Sequence, residues 1–208
     1  MAVQSDYRYS LTVNGATQFE VVRFVLKEHL STLFRLELDL ASFGSEPNFH
    51  SLIDQPATLT FCQGDEIIRS VNGIVTALNQ RETGFTRTRY HMVIEPSLCR
   101  AGLQTDLRIF QQQDSQKIIE TLLSKNQVPQ SQFHLQTPYW TREYCVQYRE
   151  TDLNFIQRLA AEEGSYYYFE HTNDSHILHF SNSTTLSEKK GNLVYNAMPA
   201  GQRPEAAV

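Results

Sequence analysis

Apolar and polar residues alternate with a period of two along the first half of the chain, a spacing that suits strands and not helices. Tyr7, Tyr9, Leu11 and Val13 alternate with Arg8, Ser10 and Thr12. The run then meets Asn14-Gly15, whose tolerance of positive φ predicts a hairpin turn into the β-branched segment Phe19–Lys27. Leu33–Leu40 is the clearest strand, with Phe34, Leu36, Leu38 and Leu40 on one face and Arg35, Glu37 and Asp39 on the other. Ala57–Phe61, Ile67–Leu78 and Phe85–Glu95 extend the pattern, separated by Gln63-Gly64-Asp65 and by an Asn79–Gly84 loop. Strands joined by short turns predict an antiparallel barrel or sandwich.

After Pro96 the strand pattern stops and polar residues take over through Gln111-Gln112-Gln113, which places a boundary near residue 100. Asp114 or Ser115 caps a helix with Ile118, Ile119, Leu122 and Leu123 on one face, ended by Asn126 and Pro129. Glu143–Tyr148 reads as a strand. Thr151 or Asp152 caps a second helix carrying Leu153, Ile156, Leu159 and Ala160 inward and stopping at Gly164. Tyr166–Glu170 and His176–Phe180, joined by Thr172–Ser175, predict a hairpin. The expectation is a β-rich α+β chain: a barrel-like domain over 1–100, an α+β domain with two helices and an aromatic hairpin over 101–182, and a polar segment 183–208, with a short apolar run at Leu193-Val-Tyr195, that opens a further unit.

Composition narrows the function. With 18 Lys+Arg against 23 Asp+Glu the net charge is −5, and the basic residues are scattered, so there is no footprint for nucleic acid or anionic lipid. No apolar run is long enough for a membrane span, and the first residues lack the core of a signal peptide, so synthesis in the cytoplasm is expected. Cys62, Cys99 and Cys145 are odd in number and irregularly spaced, predicting neither a disulfide framework nor a CxxC site.

Candidate chemistry is sparse. His171, His176 and His179 fall close together, but in a hairpin His176 and His179 point to opposite faces, and no carboxylate or cysteine completes a ligand set. Glu150, Asp152, Glu162 and Glu163 invite an acid–base pair as in glycoside hydrolysis. Helix capping and a solvated helix face account for them as well. Ser97 and Ser115 sit in no nucleophile elbow, and no phosphate loop occurs. Tyr166–Phe169 suits either an interface or a stacking platform for sugars or bases, since half of four consecutive aromatics on a strand face the core. The sequence thus assigns no catalytic, cofactor or metal residues, and no cofactor.

One string is more specific. Arg142-Glu-Tyr-Cys-Val-Gln-Tyr-Arg-Glu-Thr-Asp-Leu-Asn-Phe-Ile-Gln-Arg-Leu-Ala-Ala-Glu-Glu-Gly-Ser-Tyr-Tyr-Tyr-Phe-Glu170 resembles the signature segment of VgrG proteins, the spike proteins of type VI secretion systems. Phe34–Ser42, a Val71-Asn-Gly-Ile-Val75 turn, and Tyr90–Leu98 followed by Leu107-Arg-Ile-Phe-Gln-Gln resemble the same family's N-terminal hub. The resemblance implies a non-enzymatic hub, similar to the baseplate hub of contractile phage tails, that couples the Hcp tube to a puncturing needle for effector delivery. It implies Hcp, other VgrG protomers, baseplate components and effectors as partners, and export through the type VI apparatus without a signal peptide. The family continues into a trimeric needle that 208 residues cannot hold, so this segment alone is expected to be a monomer or a weak oligomer. The competing reading is a ligand-binding or hydrolytic module acting on cell-wall glycan.

Overall fold

A computed structural model describes residues 7–17, 19–43, 48–84, 87–136 and 138–183. Six antiparallel strands form the first sheet, in the order β1-β4-β5-β6-β3-β2: β1 Tyr7–Val13, β2 Glu20–Lys27, β3 Arg35–Ser42, β4 Pro56–Gln63, β5 Glu66–Thr83 and β6 Thr88–Glu95. Its edges are β1 and β2, and Tyr9 of β1 meets Phe24 of β2 with ring centroids 5.2 Å apart, so the sheet curls into a half-barrel. Leu36, Leu38 and Leu40 pack inside with Leu11, Leu59, Val71, Val75 and Met92.

Three local expectations are corrected here. Asn14 and Gly15 do adopt positive φ (49° and 76°) and close a tight turn, but the turn does not begin a β1–β2 hairpin. β1 pairs with β4, setting Leu11 opposite Leu59 and Val13 opposite Ala57, while β2 pairs with β3. Burial of these apolar pairs outweighs the proximity of the two strands in sequence. Residues 79–83 are no loop: β5 runs on to Thr83, and the Gly84 N–H donates to the Arg87 carbonyl at 2.9 Å. Nor is Val71–Val75 a turn. It lies buried in the middle of β5, where a Cβ on Gly73 would stand 2.6 Å from the Glu95 carbonyl oxygen and from Ile94 Cγ2. Glycine is there to let β6 approach.

A 3₁₀ turn over Ser97–Gly102 leads into β7 Thr105–Asp114, α1 Ser115–Lys125, β8 Ser131–His134, β9 Thr141–Thr151, α2 Asp152–Glu162, β10 Tyr166–His171 and β11 His176–Ser181. The polar stretch through Gln113 is thus a strand after all, because β7 finds its partner in β9, in a two-stranded antiparallel ribbon. The predicted hairpin is present as β10–β11, and β8 adds to it in parallel. Asp114 caps α1 by accepting from the Lys117 N–H at 2.8 Å, and Thr151 caps α2 by accepting from Asn154 N–H at 3.1 Å. The two helices bury Ile118, Ile119, Leu122, Leu123, Phe155, Ile156, Leu159 and Ala160 against Tyr167, Leu178 and Phe180. Leu153, expected inward, is only partly buried, and Phe155 takes the inner position. Residues 184–208, including the run at Leu193, lie outside the described residues.

Candidate functional site

The ribbon presents two chemically different faces. On the inner face, Arg108 and Phe110 of β7 stand opposite Gln147 and Cys145 of β9 and turn toward the helices. Asp152, the first residue of α2, is 2% exposed and lies at the centre of this face. Its carboxylate accepts from Gln147 Nε2 (2.8 Å), Asn126 Nδ2 (2.8 Å) and Arg108 (3.2 Å), and Lys125 Nζ lies 3.1 Å away. Burial alone pushes the Asp152 carboxyl up, but the hydrogen bonds from Asn126, Gln147 and Lys125 outweigh it and hold the group below the usual carboxylate range. The site ties β7, β9, the end of α1 and the start of α2 together through one buried anion, which also suits the positive end of the α2 dipole. Asp106 accepts from both Arg108 and Lys125 and is held down at about 2, chiefly by the Arg108 hydrogen bond.

The outer face is apolar. Leu107 opposes Tyr148, Ile109 opposes Val146, and Gln111 opposes Tyr144. Ile109 is 65% exposed, Tyr148 64%, Leu107 61%, Tyr144 61% and Val146 44%, with Leu103 and Trp140, more exposed still, just outside the strands. Single exposed apolar residues are ordinary, but several side by side on paired strands form a patch of the kind that interaction surfaces use. Sequence reasoning missed this face. The signal that carries it is the period-two spacing of Leu107 and Ile109 and of Tyr144, Val146 and Tyr148, hidden by the glutamines that follow β7's apolar residues.

The carboxylates weighed as an acid–base pair are all bound to cations. Arg158 holds Glu150 at 2.6 Å and Glu162 at 2.9 Å, and Arg142 holds Glu162 at 2.7 Å and Glu163 at 2.6 Å. Glu163 also accepts from Ser115 Oγ at 2.6 Å. Burial works against the Glu162 anion, yet Arg142 and Arg158 keep its proton affinity low, so it is no proton donor near neutrality. Asp152 is not the cap of α2; Thr151 is.

The three histidines do not converge. His171 and His176 face the half-barrel, where His176 Nε2 lies 3.4 Å from Ser97 Oγ. His179 is on the other side of the hairpin, stacked on Tyr168 and hydrogen-bonded to His134 at 2.9 Å. Both His176 and His179 are buried, so the hairpin is not a solvated surface element. Among the described residues no three His, Cys, Asp or Glu groups are placed to hold a metal ion. Cys62, Cys99 and Cys145 are free thiols, and burial raises Cys99 to about 11. In the aromatic run, Tyr167 is buried, Phe169 packs against Phe34 of the half-barrel core, and Tyr166 and Tyr168 stack on one another with centroids 6.2 Å apart. Tyr168 is thus held between Tyr166 and His179.

Comparison with known proteins agrees with this geometry. The chain is 37% identical over 205 residues to the type VI secretion system spike protein VgrG2a of Pseudomonas aeruginosa, which covers 97% of this chain and 24% of that protein. It is 39% identical over 170 residues to the spike protein VgrG3 of Vibrio cholerae, covering 81% of this chain and 17% of that protein. The chain therefore spans a quarter or less of the length of these curated relatives. Among solved structures, the E. coli c3393 protein, described as a type VI component similar to the T4 tail proteins gp27 and gp5, superimposes with a TM-score of 0.80 at 24% identity over 86% of this chain and 50% of that one. That likeness speaks to the fold. The sequence profile of the phage tail baseplate hub (GPD) matches residues 27–208, and with the half-barrel, the braced ribbon and the aromatic hairpin in place, the chain belongs to the phage tail baseplate hub family.

Proposed function

We propose that this chain is a non-enzymatic structural part of a type VI secretion spike, the N-terminal hub that couples the Hcp tube to the puncturing needle for effector delivery. The observation that carries the reading is the exposed apolar face of Leu107, Ile109, Tyr144, Val146 and Tyr148 on a ribbon locked to two helices through Asp152. A braced, largely apolar face of this kind suits permanent assembly better than turnover. In this reading residues 1–100 form the barrel-like hub unit, 101–182 the α+β unit and 183–208 the start of the next segment; two hydrophobic clusters that meet at Phe169 support the first division. The partners are Hcp, further protomers, baseplate components and effectors, and the spike leaves the cell through the type VI apparatus. Trimerisation belongs to the needle-bearing protein, and the 208 residues alone are monomeric or weakly associated.

Sedimentation of the 208-residue chain and of a needle-bearing spike protein carrying it tests the assembly reading. Ile109→Lys with Tyr148→Lys is expected to leave circular dichroism unchanged and to abolish spike assembly and Hcp export. A double variant that assembles and exports as the wild type does removes the ribbon from the interface.

A further inference from the structure

The seam between the hairpin and the half-barrel is built on histidine. Asn72, buried in the middle of β5, donates its backbone N–H to His171 Nδ1 at 3.0 Å, and its side-chain amide donates to the carbonyls of Thr172 (2.7 Å) and Ser175 (2.8 Å) in the hairpin turn. Phe34 packs edge-on between His171 and His176, with centroids 4.9 Å and 5.8 Å away, and Phe169 closes the other side of His176 at 5.8 Å. The two imidazoles are themselves only 6.2 Å apart. Glu28, just after β2, lies 3.6 Å from His171 Nε2 and is bound on its other oxygen by Arg69 of β5 at 2.6 Å. The 97–102 turn presents Ser97 to His176, and β10 presents Phe169.

We propose that this seam is an acid-sensitive latch: the β10–β11 hairpin stays on the six-stranded sheet while His171 and His176 are uncharged, and acidification releases it while the sheet remains folded. The hydrogen bonding requires this. A backbone N–H can only donate, so His171 must offer a bare Nδ1 to Asn72 and carry its proton on Nε2, toward Glu28. A proton on Nδ1 sets donor against donor. Among the described residues no carboxylate pairs with His176, and its burial against Phe34 and Phe169 disfavours the cation, as does a charge on His171.

The direction with pH follows from which state takes up protons. Burial first, and the charge of His171 second, lower His176 from 6.5 to about 4, so the open seam binds a proton that the closed seam refuses. The stability this contributes is complete above about 6.5 and declines as pH falls toward about 4. Glu28, held at about 2 by the His171 imidazole 3.6 Å away and by Arg69, adds a loss only below about 4.5.

Amide hydrogen exchange of the 208-residue chain, read as protection factors at Asn72 and at Leu38 in the sheet interior, tests the latch. From about pH 7 to about pH 5, protection at Asn72 is expected to fall roughly twentyfold by proton linkage while Leu38 changes little. His176→Phe, which keeps an aromatic ring but cannot titrate, is expected to flatten that fall. If this variant does not fold, His171→Gln, which keeps an acceptor for the Asn72 N–H and removes the second of the two causes that lower His176, is expected to make the fall smaller. Equal acid loss at Asn72 in the wild type and the variant, or loss spread evenly to Leu38, overturns the proposal.

Discussion

β3 and the β7–β9 ribbon are both two-faced, yet they bury opposite chemistry. β3 buries Leu36, Leu38 and Leu40 and turns Arg35, Glu37 and Asp39 outward, where Arg35 pairs with Glu37 at 2.9 Å and Glu95 at 3.0 Å and Asp39 meets His91 at 3.1 Å. The ribbon buries Gln147 and the Asp152 network and turns Leu107, Ile109, Val146 and Tyr148 outward. A pattern with its polar side in and its apolar side out is stable in water only if the buried groups satisfy one another, and it gains from a second protein over the exposed face. β3 hides its apolar side within this chain; the ribbon is braced from within and leaves its apolar side exposed.

The sharpest way to break the β3 half is Leu36→Asp. Leu36 is fully buried, and an unpaired carboxylate there is expected to cost more than about 4 kcal/mol, enough to unfold a domain of ordinary stability. Arg35→Asp, one residue away on the outer face, loses two half-exposed ion pairs and sets a third carboxylate near Glu37 and Glu95, and is expected to cost about 1–2 kcal/mol. Equal losses of melting temperature in the two variants would show that the β3 register is not as described.

Asp152→Ala tests the bracing. It takes one of two acceptors from each of the Gln147 and Asn126 amides and removes a carboxylate from both Arg108 and Lys125, for an expected loss of about 3 kcal/mol in urea denaturation. Because the folded state holds Asp152 below the usual carboxylate range, its contribution is present above its unfolded pKa and lost as pH falls through the lower folded value. The difference between wild type and variant should therefore shrink in acid and stay constant from about pH 6 upward. A gap that does not change with pH would assign the loss to packing and not to the anion.

Gly73→Ala probes how tightly β5 meets β6 behind the buried face of the half-barrel. The new methyl meets the Glu95 carbonyl oxygen at 2.6 Å, a backbone atom that cannot swing aside, and about 1–3 kcal/mol of overpacking is expected in thermal unfolding. An unchanged melting temperature would mean that the strands slide apart at no cost.

The smallest effect on the chain itself is expected on the ribbon's outer face. Ile109→Lys should move stability by no more than about 0.5 kcal/mol, because the side chain is already in water. A loss as large as that of Asp152→Ala would show Ile109 to be packed within this chain and would erase the contrast with β3.

Both helices, and their caps to within one residue, were legible in the sequence, because a cap and an i, i+4 apolar stripe are local properties of a dozen residues. So were β3 and the hairpin, down to its turn at Thr172–Ser175. β7 and β8 were not. β7 ends in glutamines and β8 is four residues long, and each is a strand only because of its partner, β9 for one and β11 for the other. The outward face of the ribbon was invisible for a related reason: alternation shows that two faces differ but not which of them the rest of the protein covers.

The amino-acid sequence by itself determined where most elements form, the absence of a charge pattern for nucleic acid, and the resemblance of Arg142–Glu170 to a hub signature. Only the tertiary structure decided that β1 joins β4 and not β2, that Asp152 is a buried anion and not a cap, and that His171 and His176 are sealed in a seam with Asn72. The division has one cause. Propensity, capping and periodicity act over a few neighbouring residues, whereas strand pairing and burial are settled between residues as distant as Asn72 and His171 by which apolar faces exclude water together.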